Sequence, residues 1–292
     1  MRVFIAGATG VYGRALIPRL LERGDEVVAL ARSVENVPAI ALPGVELVQG
    51  DLLRDTPERL GQAMAGCEAV AHLATALRPG ATGTDGTNTN GALRIEGTER
   101  LLKAVTAAGI PRYVQQSIVM SYPDRGDDWI EEHTPFDQGE ERAAMSHPVV
   151  TMEAMVRALD PDRVAWSILR GGSFVGPDTA QDTVIKRLRE GTQRVAGDGS
   201  NWVSFIHVED IAEATAIALH DAPGGSTYNI NDEPIRNGEY LDRLAALLGV
   251  PAPERDPDLP RPRSFRCSNA AARRDLGWAP THGIWPAATA TK

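Results

Sequence analysis

The stretch RVFIAGATGVYG, residues 2–13, decides the fold. Val3 to Ala6 form an unbroken apolar run, the pattern of a strand covered on both faces of a sheet. Gly7, Gly10 and Gly13 follow at GxxGxxG spacing. YGRALIPRLLERGD (12–25) then places Leu16, Ile17, Leu20 and Leu21 on one helical face, with Gly24 as a stop signal. In such a strand–turn–helix the first glycine permits the tight turn. The second lets backbone N–H groups approach a pyrophosphate, and the third lets the helix sit against the sheet. With Thr9, Val11 and Tyr12 completing the turn, the spacing predicts a dinucleotide site at the positive end of a helix dipole.

The alternation continues through residue 120. EVVALA (26–31), VELVQG (45–50), AVAHLA (69–74) and RYVQQS (112–117) read as further strands separated by helical patterns. This predicts an α/β fold, a Rossmann-type doubly wound parallel sheet with a small C-terminal substrate lobe. The nucleotide-binding domain is assigned mainly to 1–177, with a return around 203–222, and the lobe mainly to 178–202 and 223–292. VAWSILRGGSFVGP (164–177) reads as one buried strand with a Gly-rich end. FIHVEDIAEATAIALHDA (205–222) reads as a helix in which Asp210 and Glu213 form a capping pair. DRGDDWIEEHTPFDQGEER (124–142) reads as a surface connection and the proline-rich VPAPERDPDLPRPRS (250–264) as an extended wrap. Pro148 disfavours helical geometry at His147, so a helix is expected to start there and leave Met145 outside it.

Thirty Lys and Arg against 39 Asp and Glu give a net charge of −9, which argues against nucleic acid or an anionic membrane as partner. The two cysteines, Cys67 and Cys267, have no metal-ligand spacing, so neither a metal site nor a disulfide framework is expected. No leader-like or membrane-length apolar run is visible, and a cytoplasmic location is expected. Nothing in the pattern specifies an oligomeric state.

The end of the second strand selects the dinucleotide. A ribose 2′-hydroxyl calls for Asp or Glu about 20 residues past the glycines. ALARS (29–33) offers Arg32 and Ser33 instead, and a guanidinium suits a 2′-phosphate. NADPH is the expected cofactor, with NADH still usable through the contacts the two share.

Together with GDL (50–52), AHLAT (71–75), EGTERLLKAV (96–105), ILRGGSFVGP (168–177), FIHVEDIAEA (205–214), YNI (228–230) and DLGWAP (275–280), the glycine turn resembles the extended short-chain dehydrogenase/reductases, the sugar-epimerase-like branch. The resemblance runs over roughly residues 1–280. It implies that Asp51 and Leu52 lie near the adenine, that Leu73, Ala74 and Thr75 line the cofactor, and that Gly172 and Ser173 lie by the nicotinamide.

The reacting residues of that family are Asn, Ser or Thr, Tyr and Lys. Carried over by flanking motif, they become Arg94, Ile118, Met145 and Val149, and no Tyr in the chain is followed by Lys four residues on. The chain thus resembles the atypical members. Losing an acid–base pair costs on the order of 10²–10⁴ in rate, so the expected substrate activates itself. An aromatic polyketide or quinone-like ketone next to a phenol meets that need. Met145, Val149 and Tyr122 are the expected substrate walls, and TALRPGATGTDGTNTNGAL (75–93) is a lid or a plain loop. Ser117, Ser121 and His207 are the candidate acids. Arg94 either neutralises a phenolate or joins a structural ion pair. Two alternatives stay open: a non-catalytic NADP sensor with protein partners, and a sugar-nucleotide epimerase or dehydratase. The missing Tyr and Lys oppose the second.

Overall fold

The computed structural model describes residues 1–35, 37–76 and 89–286. Seven strands form one parallel sheet: β1 (Arg2–Ala6), β2 (Glu26–Ala31), β3 (Val45–Gln49), β4 (Ala69–His72), β5 (Arg112–Ile118), β6 (Ala165–Gly171) and β11 (Ser226–Ile230). Their spatial order is β11-β6-β5-β4-β1-β2-β3. Outside the sheet, β7 (Ser173–Val175) pairs with β10 (Phe205–His207), β9 (Trp202–Val203) with β12 (Ile235–Arg236), and β8 (Val195–Ala196) with β13 (Arg255–Asp256). The strand order reverses between β1 and β4. In open α/β sheets, the carboxyl ends at that reversal form the ligand crevice.

Helices α1 (Val11–Glu22), α6 (Val208–Asp221) and α8 (Ala270–Leu276) cover one face, and α2 (Pro57–Ala63), α3 (Thr98–Ala108) and α4 (Ala143–Arg157) the other. This is why the strands are apolar without alternation. In β2, Val27 and Ala29 enter one core while Val28 and Leu30 enter the other. Burying a side chain such as Val or Leu contributes about 1.5–3 kcal/mol. Helices α5 (Ala180–Arg189) and α7 (Asn237–Leu247) pack a third, smaller core with Val175, Val195 and Ile284.

Several expectations change in three dimensions. The run 164–177 is two strands, because Gly172 passes so close to the chain before β10 that a Cβ there would lie 2.4 Å from the Ser204 carbonyl oxygen. The run 205–222 is a strand followed by a helix, and its cap is His207, whose Nδ1 accepts from Glu209 N at 3.2 Å. Asp210 instead accepts from Thr281 Oγ1 and His282 N, and Glu213 pairs with Arg19 and Arg23, so the two form no capping pair. Helix α4 begins at Ala143, five residues before Pro148, which lies inside it. The carbonyl that a proline at 148 obstructs belongs to exposed Ala144, in a first turn that can tilt towards solvent.

The acidic run 124–142 is a surface connection, pinned like a strap. Ile130 is fully buried and bridges to Cys267. Strand β11 and helix α8 lie in the stretch assigned to the lobe, yet they complete the main sheet and its first core. Residues 77–88 of the expected lid fall outside the described residues. Among the described residues, no helix is long and apolar enough to cross a membrane and no group of His, Cys, Asp and Glu could hold a metal ion.

Candidate functional site

Parallel pairing brings the predicted cofactor residues to one edge. The turn 7–13 leaves β1, Arg32 and Ser33 leave β2, Asp51 and Leu52 leave β3, Leu73 to Thr75 leave β4, and Gly172 and Ser173 leave β6, all at carboxyl ends. The glycines divide their tasks. Gly7 has φ +96°, and a Cβ there would sit 2.6 Å from Ala74 N; one at Gly13 would sit 2.5 Å from Gly7 O. Both are dictated by backbone packing. Gly10 differs, since its Cβ would meet only Gly7 O, at 3.4 Å. The space before it is a cradle that a side chain would fill. Gly10 caps α1 without any side-chain bond, and the first turn of α1 carries no acidic residue. An N-terminus so kept suits a pyrophosphate, and the residues present fit a dinucleotide.

Around this cradle Thr9, Thr75, Arg32 and Ser33 are exposed, and Val11 and Ala74 half-buried. The Arg32 guanidinium has no partner among the described residues, while its carbonyl oxygen accepts from Gln49 Nε2. Leu52 and Leu73 are buried, and Asp51 accepts from Leu53 N at 2.9 Å within its own turn. Gly172 donates its N–H to Ile230 O at 3.0 Å, and Ser173 donates to Ser204 O at 2.8 Å. The Tyr12 side chain, expected at the cofactor, points elsewhere. Its hydroxyl bonds Thr215 Oγ1, and its ring meets Phe174 edge-on at 5.5 Å. Only the Tyr12 backbone stays at the turn, because the apolar gap between α1 and α6 takes the ring.

A buried polar network that sequence reasoning missed joins α4 to β5, β6 and β11. Glu153 Oε1 accepts from Ser117 Oγ at 2.6 Å and from Arg170 Nε at 2.9 Å, and Oε2 from Arg170 Nη2 at 2.6 Å. Arg157 adds a longer contact to Oε2 at 3.3 Å. Arg170 Nη1 donates to Tyr122 Oη at 2.6 Å and to Glu132 O at 2.9 Å, and Tyr122 donates to Asn229 Oδ1 at 2.8 Å. The signal was present: Glu153 is a carboxylate on the apolar face of α4 beside Val149, Met152 and Val156. A lone acid in that position needs a buried partner.

This network removes two candidates. Ser117 is fully committed to Glu153, and Tyr122 is buried with its hydroxyl engaged on both sides, so it forms no open substrate wall. Val149 is also fully buried, so it lines no open pocket. Met145 keeps 40% of its surface, and its Sδ accepts from Arg142 Nη2 at 2.8 Å. Ser121 is buried, and its Oγ is sealed without a partner among the described residues. His207 caps α6 and stacks on His282 at 4.9 Å, and burial, aided by His282, pulls its pKa below the usual histidine range. It is held neutral in a structural role, which opposes its use as an acid.

Arg94 stands on a π-turn, Leu93–Gly97, that runs into α3 and packs on α4. Such wide turns recur at functional sites. Its relative exposure is 6%, and it makes no hydrogen bond or ion pair among the described residues. Beside it at the end of β4, His72 is buried. Burial pulls its pKa to about 4, and the Arg94 charge adds to the shift. The site therefore holds a neutral imidazole and a guanidinium without a partner among the described residues, with Ile118, Met145 and Val149 at the acid–base positions.

The model of the "NAD dependent epimerase/dehydratase family" matches residues 3–231. The chain is 32% identical over 311 residues to a 3-diazoavenalumate denitrifying reductase of a Streptomyces species, covering 98% of each chain. It is 28% identical to the 4-hydroxy-2-methyl-3-oxo-4-farnesyl-3,4-dihydroquinoline-1-oxide ketoreductase of Stigmatella aurantiaca, covering 86% of this chain and 75% of that one. Among solved structures, a dTDP-glucose 4,6-dehydratase from Streptomyces venezuelae with NAD bound superposes at a TM-score of 0.79 and 21% identity, over 97% of this chain and 93% of that one. At that identity the likeness is one of fold.

Proposed function

The chain belongs to the NAD-dependent epimerase/dehydratase family, and from that premise we propose that it is an NADPH-dependent reductase of a phenolic aromatic ketone, such as a polyketide or a quinone-like ring. One observation carries the reading: the cofactor cradle is intact while positions 118, 145 and 149 hold no titratable group. The nicotinamide, when bound, supplies a hydride. The chain binds and orients; placement alone is worth roughly 7–11 kcal/mol. With Ser117 held by Glu153 and His207 held neutral, the new alkoxide takes its proton from the neighbouring phenol or from water. The relatives named as reductases support hydride transfer in general. The substrate class follows from the missing acid, and the reading is similar to the angucyclinone ketoreductase of simocyclinone biosynthesis.

NADPH oxidation should be measured across hydroxylated anthraquinones, angucyclinones and simple ketones. Methylating the phenol beside the carbonyl should lower kcat at least about tenfold with little change in KM, since the rings still bind. Normal turnover of the methyl ether, with Ser121→Ala inactive, would sink the mechanism by revealing a protein acid. A protein with no activity on any member would instead be a sensor.

Cofactor choice gives a separate expectation. Arg32 is exposed past β2 and has no partner among the described residues, so a 2′-phosphate can claim it. NADPH should bind more tightly than NADH, and Arg32→Ala should erase most of the difference. Equal wild-type dissociation constants would refute this.

A second reading has its own support in the full-length relative named for removing nitrogen from a diazo compound. Hydride added to an aromatic diazonium leaves the arene C–H and releases N₂, and no acid is consumed. Dinitrogen release from an ortho-diazophenol, with no ketone reduced, would select it.

A further inference from the structure

Among the described residues Arg94 presents an unbalanced charge. The groups facing it are His72 from β4 and Glu153 from α4. His72 is neutral above about pH 4. Glu153 is already spent: both its oxygens are bound by Arg170, one of them also by Ser117, and Arg157 approaches from the rim. Among the described residues, the interior around the π-turn thus holds two buried guanidiniums, Arg94 and Arg170, against one buried carboxylate. Burial pulls the Arg94 pKa down to about 10, with Glu153 partly offsetting it, so the charge persists at neutral pH. A buried cation with no partner is among the costliest features a fold can keep, and one kept beside a ligand crevice calls for an anion from outside. A nicotinamide ring is neutral when reduced and cationic when oxidised, so it brings none.

We propose that Arg94 receives an ionised ring oxygen of the substrate, a phenolate, and thereby makes the site selective for acidic phenols. This deepens the proposed reduction and rests on it for the ring system, but its own claim is anion binding. Arg94 occupies the π-turn position where the resembled family carries Asn, while Val149 stands where that family carries Lys. The buried cation of the site has moved from α4 to the neighbouring turn. There a planar fork of donors can hold an oxygen on a flat ring. The Arg94 charge lowers the pKa of the bound phenol and stabilises the negative charge the ring carries.

The test uses the full chain loaded with NADP⁺ and the dye 1-hydroxyanthraquinone, whose visible band shifts when its hydroxyl ionises. Bound to wild type, the hydroxyl should ionise at least one pH unit below the free dye. Arg94→Met should bind the dye at least tenfold more weakly and lose that shift, and Arg94→Lys should keep part of it. The methyl ether should bind both proteins alike. Arg94→Met without ligand should melt at or above the wild-type temperature, because an unpaired charge has been removed; a structural ion pair would show the reverse. Absence of dye binding to wild type, or equal affinity and equal ionisation in Arg94→Met, overturns the proposal. A clear shift with no turnover of any aromatic ketone leaves the anion site standing and refutes the reductase reading instead.

Discussion

Replacing Glu153 by alanine should remove about 3–5 kcal/mol of folding stability, the cost of leaving a buried cation without its partner. Arg170 would lose two hydrogen bonds and its only salt bridge among the described residues, and Ser117 its acceptor. The damage would spread because the network ties five segments together: β5 through Ser117, α4 through Glu153, β6 through Arg170, β11 through Asn229, and the strap through Glu132, with Tyr122 just before it. Arg170 also stacks over the Phe136 ring at 4.1 Å, which holds the strap against the sheet. Urea unfolding checks the expectation. Glu153→Gln should fall between wild type and alanine, since an amide oxygen still accepts from Arg170 while the charge is gone. A loss under about 1 kcal/mol for alanine would mean that the pair only breaks even against its desolvation.

Rebuilding the family's acid–base pair should fail. Val149→Lys places an ammonium where the side chain has no exposure, on the helix that packs against the π-turn bearing Arg94. Two neighbouring buried cations with one committed carboxylate should cost several kcal/mol, or force the lysine to lose its proton. Met145→Tyr is milder, because Met145 is 40% exposed. The double variant should therefore melt well below wild type and show no gain in kcat on the native substrate. A tenfold rise in kcat would show that this site still supports a tyrosine–lysine mechanism.

The sequence carried the fold almost completely, because its signals are local. Six of the seven parallel strands could be read from apolar runs that must be covered on both faces, as Val27 to Leu30 are. The glycine turn could be read because Gly7 and Gly13 answer to backbone contacts within a few residues of themselves or of β4. Helix boundaries were less legible. Pro148 breaks a helix on local rules, yet α4 passes through it, since packing of Val149, Met152 and Val156 outweighs one lost backbone bond.

At the site the division is sharper. The sequence by itself determined which groups are missing: no side chain at 118, 145 or 149 can carry a proton, and no folding restores one. It also determined the cofactor edge, because parallel strands bring their carboxyl ends together. Only the tertiary structure decided what the remaining candidates do. Ser117 and Tyr122 are consumed by Glu153, Arg170 and Asn229, residues up to 107 positions away, and His207 is spent as a helix cap. On sequence alone Arg94 suited a structural ion pair better than a phenolate; in the fold the carboxylate facing it is occupied by Arg170. Whether a charge is free depends on the sum over all its neighbours in space, and that sum exists only once the chain has folded.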